Sequence, residues 1–425
     1  MTAPRPERTS SPDTSSRPPL VARTVRARGD VELLAVAGGE GVVFARGSCG
    51  LAGRGEALRL NLPTGPGRLT VAAEMVAAAL GSIATVDEVG VPGSGPVAFA
   101  ALPFAEAGPA TVVVPALIAG RAEDGTGWVT TVAPEGSEPM PLVSPALPTA
   151  DEPTSYRITT SRPPSAWCET VAAAVAAIRS GGPVKVVLAR EVLVEADAPL
   201  DRGAILGRLA AAAPASMLYA VDGLVGASPE LLVSRRGDIV RSHPMAGTTA
   251  RTGDPALDAS LGAWLLSSAK DRGEHQITID MVLDTILPFC SYVDSEPEPS
   301  IVAAANVQHL ASLVEGRLSS PPASVLSLAA ALHPTPAVCG WPRADALALI
   351  DTLEGGDRGR YAGAVGWVDA AGNGSFAVAL RGVELDGRRA RLWAGSGIVA
   401  DSDPATELAE TRAKLQTVLS AVVRP

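Results

Sequence analysis

Near the end of the chain, Glu407, Glu410 and Lys414 stand at i, i+3 and i+7 in the stretch RLWAGSGIVADSDPATELAETRAKLQTV, Arg391 to Val418. On a helix that spacing gathers them on one face about 60° wide. Leu408, Leu415, Val418, Leu419 and Val422 fall largely on another face and would anchor the helix to a core. A solvated i,i+4 salt bridge is the ordinary explanation of Glu410 and Lys414. The residues before them argue for more. Asp401, Ser402 and Asp403 offer N-cap oxygens, and Pro404 suits the first helical turn. The helix therefore starts just after a strand whose Gly395 and Gly397 bare the backbone. N–H groups and the helix dipole favour an anion at such a place. Carboxylates beside an anion site make chemical sense when a divalent cation lies between them.

Other residues of reactive type are dispersed. Lys185 begins the apolar run VKVVLAREVLVEA, where a lysine is ordinarily just exposed; partly buried with a lowered pKa, it would be a competent base. Glu230 follows Ser228 and Pro229 in GLVGASPELLVSRRGDIV, which reads as a hairpin. A structural role is the plain reading of one glutamate at a strand start, whereas burial would keep it protonated and able to act as an acid. In SHPMAGTTARTG, Gly247 and Thr248 can offer a backbone N–H and a hydroxyl to a ligand. The segment LGAWLLSSAKDRGEHQITIDMVLDTILPFC reads as one long helix with Trp264, Leu265, Ala269, Val282, Leu283 and Ile286 inward. It brings Asp271, Glu274 and His275 within about one turn. A charged outer face would explain them equally, but Gly273 in mid-helix costs about 1 kcal/mol relative to Ala and implies that something approaches the backbone there. His275 and His309 are possible ligands, although single histidines more often serve as hydrogen-bonded scaffold.

The elements that must position these residues are set by composition and pattern. The chain has 425 residues, enough for one large domain or two to three ordinary ones, and its 47% hydrophobic content supports a large core. A net charge of −10 argues against nucleic acid or an acidic membrane as the main partner. It leaves room for an anionic ligand held through a local cation. Cys49, Cys168, Cys290 and Cys339 have no metal-like spacing and read as buried thiols in a reducing compartment. Residues 1–19 lack an apolar h-region and read as a disordered leader. The apolar tract from Val97 to Gly120 contains Glu106 and three prolines, which suits buried strands and not a membrane span. The chain is expected to be cytoplasmic. Residues 20–155 alternate β-rich runs such as VELLAV and TVVVPALI with Gly/Pro turns, interrupted by a helix around Val71 to Leu80. The looser stretch Ala133 to Ser155 reads as a connection to the second half, residues 156–425, where Trp167 to Arg179 forms an Ala-rich helix.

No single one of these features decides a function, but their order does. The run KVVLARE, GASPELL, PMAGT, KDRGEH, VQHL, LHPTPAVCGWP, DRGRYAGAVGW and AGSGIVADSDPATELAETRAKL resembles the chorismate-utilising enzymes, most closely their isochorismate synthase branch. The resemblance covers roughly Trp167 to the C-terminus and is weaker before it. It implies an α/β (α+β) fold like that of anthranilate synthase component I: one large domain of two facing antiparallel sheets with outer helices, and a site between the sheets. It implies Mg²⁺ held by Glu274 and Glu410, with Asp271 and Glu407 accepting hydrogen bonds from metal-bound waters. It places Tyr361, Arg381 and the backbone at Gly395 on the side-chain carboxylate of chorismate, and Gly247, Thr248, His309, Ala337 and Lys414 around the same substrate. Lys185 corresponds to the base that activates water for attack at ring C2, and Glu230 to the acid that protonates the departing C4 hydroxyl.

The relatives differ at readable positions. Ammonia-using members usually lack lysine at the position of Lys185 and work with a glutaminase, and the aminodeoxychorismate type carries a lysine where this chain has Ala246. No glutaminase partner is expected here, and monomer is the default state. Salicylate synthase, which goes on to expel pyruvate, is the closest alternative; it tends to have threonine where this chain has Ala337. Either siderophore or menaquinone biosynthesis could consume the product.

Overall fold

The computed structural model describes residues 18–142 and 152–423. The expected leader over 1–19 lies almost wholly outside the described residues, as does the middle of the Ala133 to Ser155 connection. The short apolar runs separated by glycine and proline form strands of two large sheets of 13 and 9 strands, joined by a third of three. Every described pairing is antiparallel except that of Leu20–Arg26 with Ala84–Asp87.

The expected division near residue 155 does not divide either sheet. In the larger one, Met217–Val221 pairs with Val42–Arg46, and in the smaller one Ala364–Asp369 pairs with Val97–Ala101. The inner faces of both sheets meet in one core that includes Phe99, Val186, Leu188, Tyr219, Val233 and Phe376. A second apolar layer covers the outer face of the larger sheet. There Leu415, Val418 and Val422 of the helix Pro404–Val423 pack with Ile205 and Leu209 of the helix Arg202–Ala212. Each such side chain contributes roughly 1.5–3 kcal/mol when fully buried, so the helix is fixed by its apolar face and its polar face is left to line the sheet edge. Asp403 caps it, accepting a hydrogen bond from the Thr406 N–H at 2.9 Å.

Several sequence readings are corrected. GLVGASPELLVSRRGDIV is not one hairpin: Leu224–Ser228 belongs to the larger sheet and Leu231–Arg236 to the smaller. Pro229, which has no N–H to give a ladder, and Glu230 make the crossing between them. The hairpin is instead Leu231–Arg236 with Ile239–His243. The long helix is two, Pro255–Ser267 and Ala269–Ile286, broken at Ser268, whose extended backbone ends the first and whose hydroxyl caps the second. The break turns the expected inward set: Trp264 is 58% exposed and Ala269 is exposed, while Leu265, Ile279, Val282 and Ile286 are buried. Gly273 faces open space, since a Cβ there would meet nothing within 4 Å. Of the four free cysteines only Cys339 is buried.

Candidate active site

Where strand Lys185–Ala196 pairs with strand Arg389–Ile398, Val187 stands opposite Gly397 and Ala189 opposite Gly395. These glycines make room for side chains. A Cβ on Gly397 would lie 2.8 Å from Lys185 Cε, and one on Gly395 would lie 3.2 Å from the Tyr361 hydroxyl. Lys185 can thus lie across its neighbouring strand, 4% exposed, with Nζ 3.2 Å from Glu274 Oε2. Glu274 comes from the helix that starts at Ala269; on the same first turns Asp271 accepts the Ser268 hydroxyl.

The helix Pro404–Val423 delivers the other carboxylates. Lys414 Nζ donates to Glu410 Oε1 and, at 3.0 Å, to the Gly395 carbonyl. Ser396 directs its hydroxyl at both Glu407 and Glu410. Burial alone would raise the Glu410 carboxyl; the Lys414 ammonium, with the hydrogen bonds from Lys414 and Ser396, overrides it and holds the group below its ordinary value. Glu407 goes the other way, raised by burial and by the charge of Glu410. Two lysines therefore attend two of the carboxylates, and a third carboxylate is left crowded.

Glu230, at the crossing between sheets, is 3% exposed, and burial pushes its carboxyl up to about 8 against the Met245 backbone N–H and the cations Lys185, Arg381 and Lys414. It is a buried acid in a positive surrounding. Arg381 is half-buried on left-handed backbone (φ +50°), and one of its nitrogens lies 3.4 Å from His309 Nε2. His309 Nδ1 lies 3.1 Å from the Gly247 carbonyl and 3.2 Å from the Thr248 hydroxyl. Burial, Arg381 and Lys414 push this imidazole down to about 3, so it is neutral. The Gly247 carbonyl can only accept, which assigns the proton to Nδ1 and leaves Nε2 to accept from Arg381. Tyr361 stacks on Trp393 with centroids 6.1 Å apart.

Apart from Ser396 and Trp393, these side chains line one cavity of about 400 Å³, together with Gly247, Ala337, Val338, Gly395 and Gly397. Every residue singled out from the resemblance is therefore on its wall. His275 is not: its Nε2 faces Ser312 at 2.9 Å, and burial pushes it down to about 4. Ser396 and Lys270 were missed. Ser396 stood in plain view between two glycines, but only its contacts show which way it points. A second cavity, of about 430 Å³, shares Pro229 but holds none of these carboxylates and not Lys185.

The donor set suits a hard divalent cation. Asp271, Glu274, Glu407 and Glu410 line one cavity, and positive charge there would offset the burial and the Glu410 repulsion that raise Glu407. Among the described residues no three Asp, Glu, His or Cys side chains close around a point. A cation here would accordingly rest on few protein oxygens and leave the remaining positions to water and substrate.

The family model described as chorismate binding enzyme matches residues 44–423. The chain belongs to the chorismate-binding enzyme family. A Mycobacterium tuberculosis member, provisionally named isochorismate synthase MenF, is 41% identical over 345 residues, 78% of this chain and 87% of that protein. Isochorismate synthase DhbC of Bacillus subtilis is 40% identical over 279 residues, 63% of this chain and 70% of its own. A crystal structure from Bacillus anthracis, provisionally described as the 2,3-dihydroxybenzoate-specific isochorismate synthase DhbC, superposes with a TM-score of 0.77 at 32% identity. That match covers 92% of this chain and 98% of the other. Anthranilate synthase component I of Streptococcus pneumoniae shares the fold, with a TM-score of 0.65 at 21% identity over 97% of this chain and 95% of its own. The expected fold of facing antiparallel sheets with outer helices is the family's. Among the described residues no helix is long and apolar enough to cross a membrane.

Proposed function

We propose that this protein is an isochorismate synthase, converting chorismate reversibly to isochorismate with Mg²⁺ as cofactor. The observation that carries the reading is the pairing of a buried lysine, Lys185, with a buried and protonated carboxyl, Glu230, on the wall of one cavity. Glu274 and Glu410 would hold the cation, which when bound would neutralise the ring carboxylate; Asp271 and Glu407 would accept hydrogen bonds from its waters. Arg381 offers a planar fork to the side-chain carboxylate, with Tyr361 and the Gly395 backbone beside it. Neutral His309 accepts from Arg381 and so sets the plane of that fork.

Lys185 serves as the base: a proton leaves water toward its Nζ as the water oxygen bonds to C2. The ring double bonds shift, the C4–oxygen bond breaks, and Glu230 gives its proton to the leaving hydroxyl, which departs as water. One water enters and one leaves, and the proton on Lys185 returns to Glu230 through solvent. Positioned acid and base groups of this kind supply 10²–10⁴-fold each. Water is the nucleophile, so no ammonia-supplying subunit is needed. The small Ala337 on the wall leaves no hydroxyl at the position associated with pyruvate expulsion.

The test is chromatography of purified protein incubated with chorismate and Mg²⁺. A mixture of chorismate and isochorismate is expected from either starting compound, with no pyruvate, and EDTA abolishes interconversion. Stoichiometric salicylate and pyruvate would make the protein a salicylate synthase; turnover in EDTA would sink the cation assignment.

A further inference from the structure

We infer that Ser396 is a positioning residue: its single hydroxyl fixes the geometry of Glu407 and Glu410 and thereby tunes divalent-cation binding. The inference rests on the cation assignment proposed above. Ser396 is the one residue with a side chain between Gly395 and Gly397, and it is 1% exposed. Successive strand residues face opposite sides, so the two glycines open the cavity side for Lys185 and Tyr361, while Ser396 turns to the helix Pro404–Val423. There it meets carboxylates one turn apart: its hydroxyl donates to Glu407 Oε2 and lies 3.0 Å from Glu410 Oε1.

Glu410 also has Lys414, and Glu407 also has Ser402. Ser396 is the contact common to both. A hydroxyl carries one proton, so it cannot satisfy two carboxylates at full strength; it holds the pair in register and leaves each with oxygens unspent toward the cavity. A buried glutamate otherwise retains rotamer freedom that a cation must freeze on binding. With Ser396 removed, no side chain of this strand segment can substitute, because its neighbours are glycines. Outer partners of metal-ligating carboxylates commonly govern 10–100-fold in affinity.

The experiment is titration calorimetry of the full chain with Mn²⁺ and with Mg²⁺ in the absence of substrate, so that its readout is independent of turnover. Ser396→Ala is expected to weaken binding 10–100-fold, while Ser396→Thr, which keeps the hydroxyl, stays close to the unaltered protein. Ser396→Ala should also raise KM for chorismate more than it lowers kcat, and leave the alkaline pH limb set by Glu230 in place. If the alanine variant does not fold, Ser396→Cys keeps the volume with a weaker donor and takes its place. Unchanged cation affinity in Ser396→Ala overturns the positioning role alone. Equal weakening in the alanine and threonine variants overturns it as well, in favour of packing. No cation binding by the unaltered protein overturns the cation assignment and this inference with it.

Discussion

Desolvation does different work on the residues of one wall. Among the described residues Glu230 has no lysine partner within hydrogen-bond range and rises to about 8, while Glu410, half-buried, is drawn below its ordinary value by Lys414. One carboxyl therefore keeps its proton and the other keeps its charge at neutral pH, the division of labour an acid and a metal ligand require. The sign follows for activity: the reaction proposed needs Glu230 protonated, so kcat/KM is expected to fall as pH rises through about 8. Glu230→Gln keeps the shape and cannot give a proton. It should lose about 10²–10⁴-fold in turnover while chorismate still binds, as judged by an equilibrium titration. A rate that climbs steadily beyond pH 9, or a glutamine variant near the unaltered rate, would remove Glu230 from the acid role.

At the scale of elements, the site is an arrangement of gaps as much as of side chains. Gly397 has ordinary backbone angles and would accept alanine, but the added methyl would stand 2.8 Å from Lys185 Cε. A lysine side chain moves more easily than a paired strand, so Gly397→Ala should fold normally and displace Lys185 from Glu274. A displacement of about 1 Å can cost 10²-fold. The expected result is a turnover loss of that order with an unchanged melting temperature; an alanine variant of full activity would mean that the place of Lys185 is immaterial. The same elements mark what could be read in the sequence. The helix from Pro404 announced itself through its cap, its proline and two separated faces, all local signals. The crossing at Pro229 did not, because strand pairing is decided by distant partners: Leu231 by Ala377, Leu224 by Glu384. The break at Ser268 was hidden because an apolar period continues across it. Arg358 was likewise passed over. It is buried against Glu354, stacks over Phe104 at 4.2 Å and donates to the carbonyls of Val187 and Val338. It thus ties the Lys185 strand to the Ala337 segment, and nothing local in DRGRYAGAVGW tells a core arginine from a surface one.

Across the whole molecule the two sheets close over polar groups far apart in the chain, and the consequence is legible in the histidines. His243, His275, His309 and His333 all have lowered pKa values, burial being the first cause in each; His275 and His333 fall to about 4 and His309 to about 3. These four are all the histidines of the chain. His333 Nε2 meets the Phe104 carbonyl at 3.0 Å, and His275 and His309 have the partners described above; the carbonyl contacts of His309 and His333 favour the charged ring, and burial overrides them to keep it neutral. Unfolded, each would take up a proton near pH 6.5. A depressed native pKa gives stability that is present above the unfolded value and is lost as pH falls from about 6.5 toward the native one. Glu230 has the opposite sign. Its raised pKa means that the native state holds a proton the unfolded chain gives up, so its contribution declines as pH rises from the ordinary glutamate range to about 8. Glu407, also raised, acts in the same direction, yet between pH 4.5 and 6.5 four histidine sites stand against these two carboxyls, so the unfolded chain binds more protons and the histidines win. Each uncompensated proton is worth about 1.4 kcal/mol per pH unit. The melting temperature should accordingly drop steeply between pH 6.5 and 5, and His309→Gln or His333→Gln should make that drop shallower whatever it does to stability at pH 8. Thermal melts across this range decide the matter: a transition that stays level from pH 7 to 5 would mean that the histidines are not held neutral in the native fold.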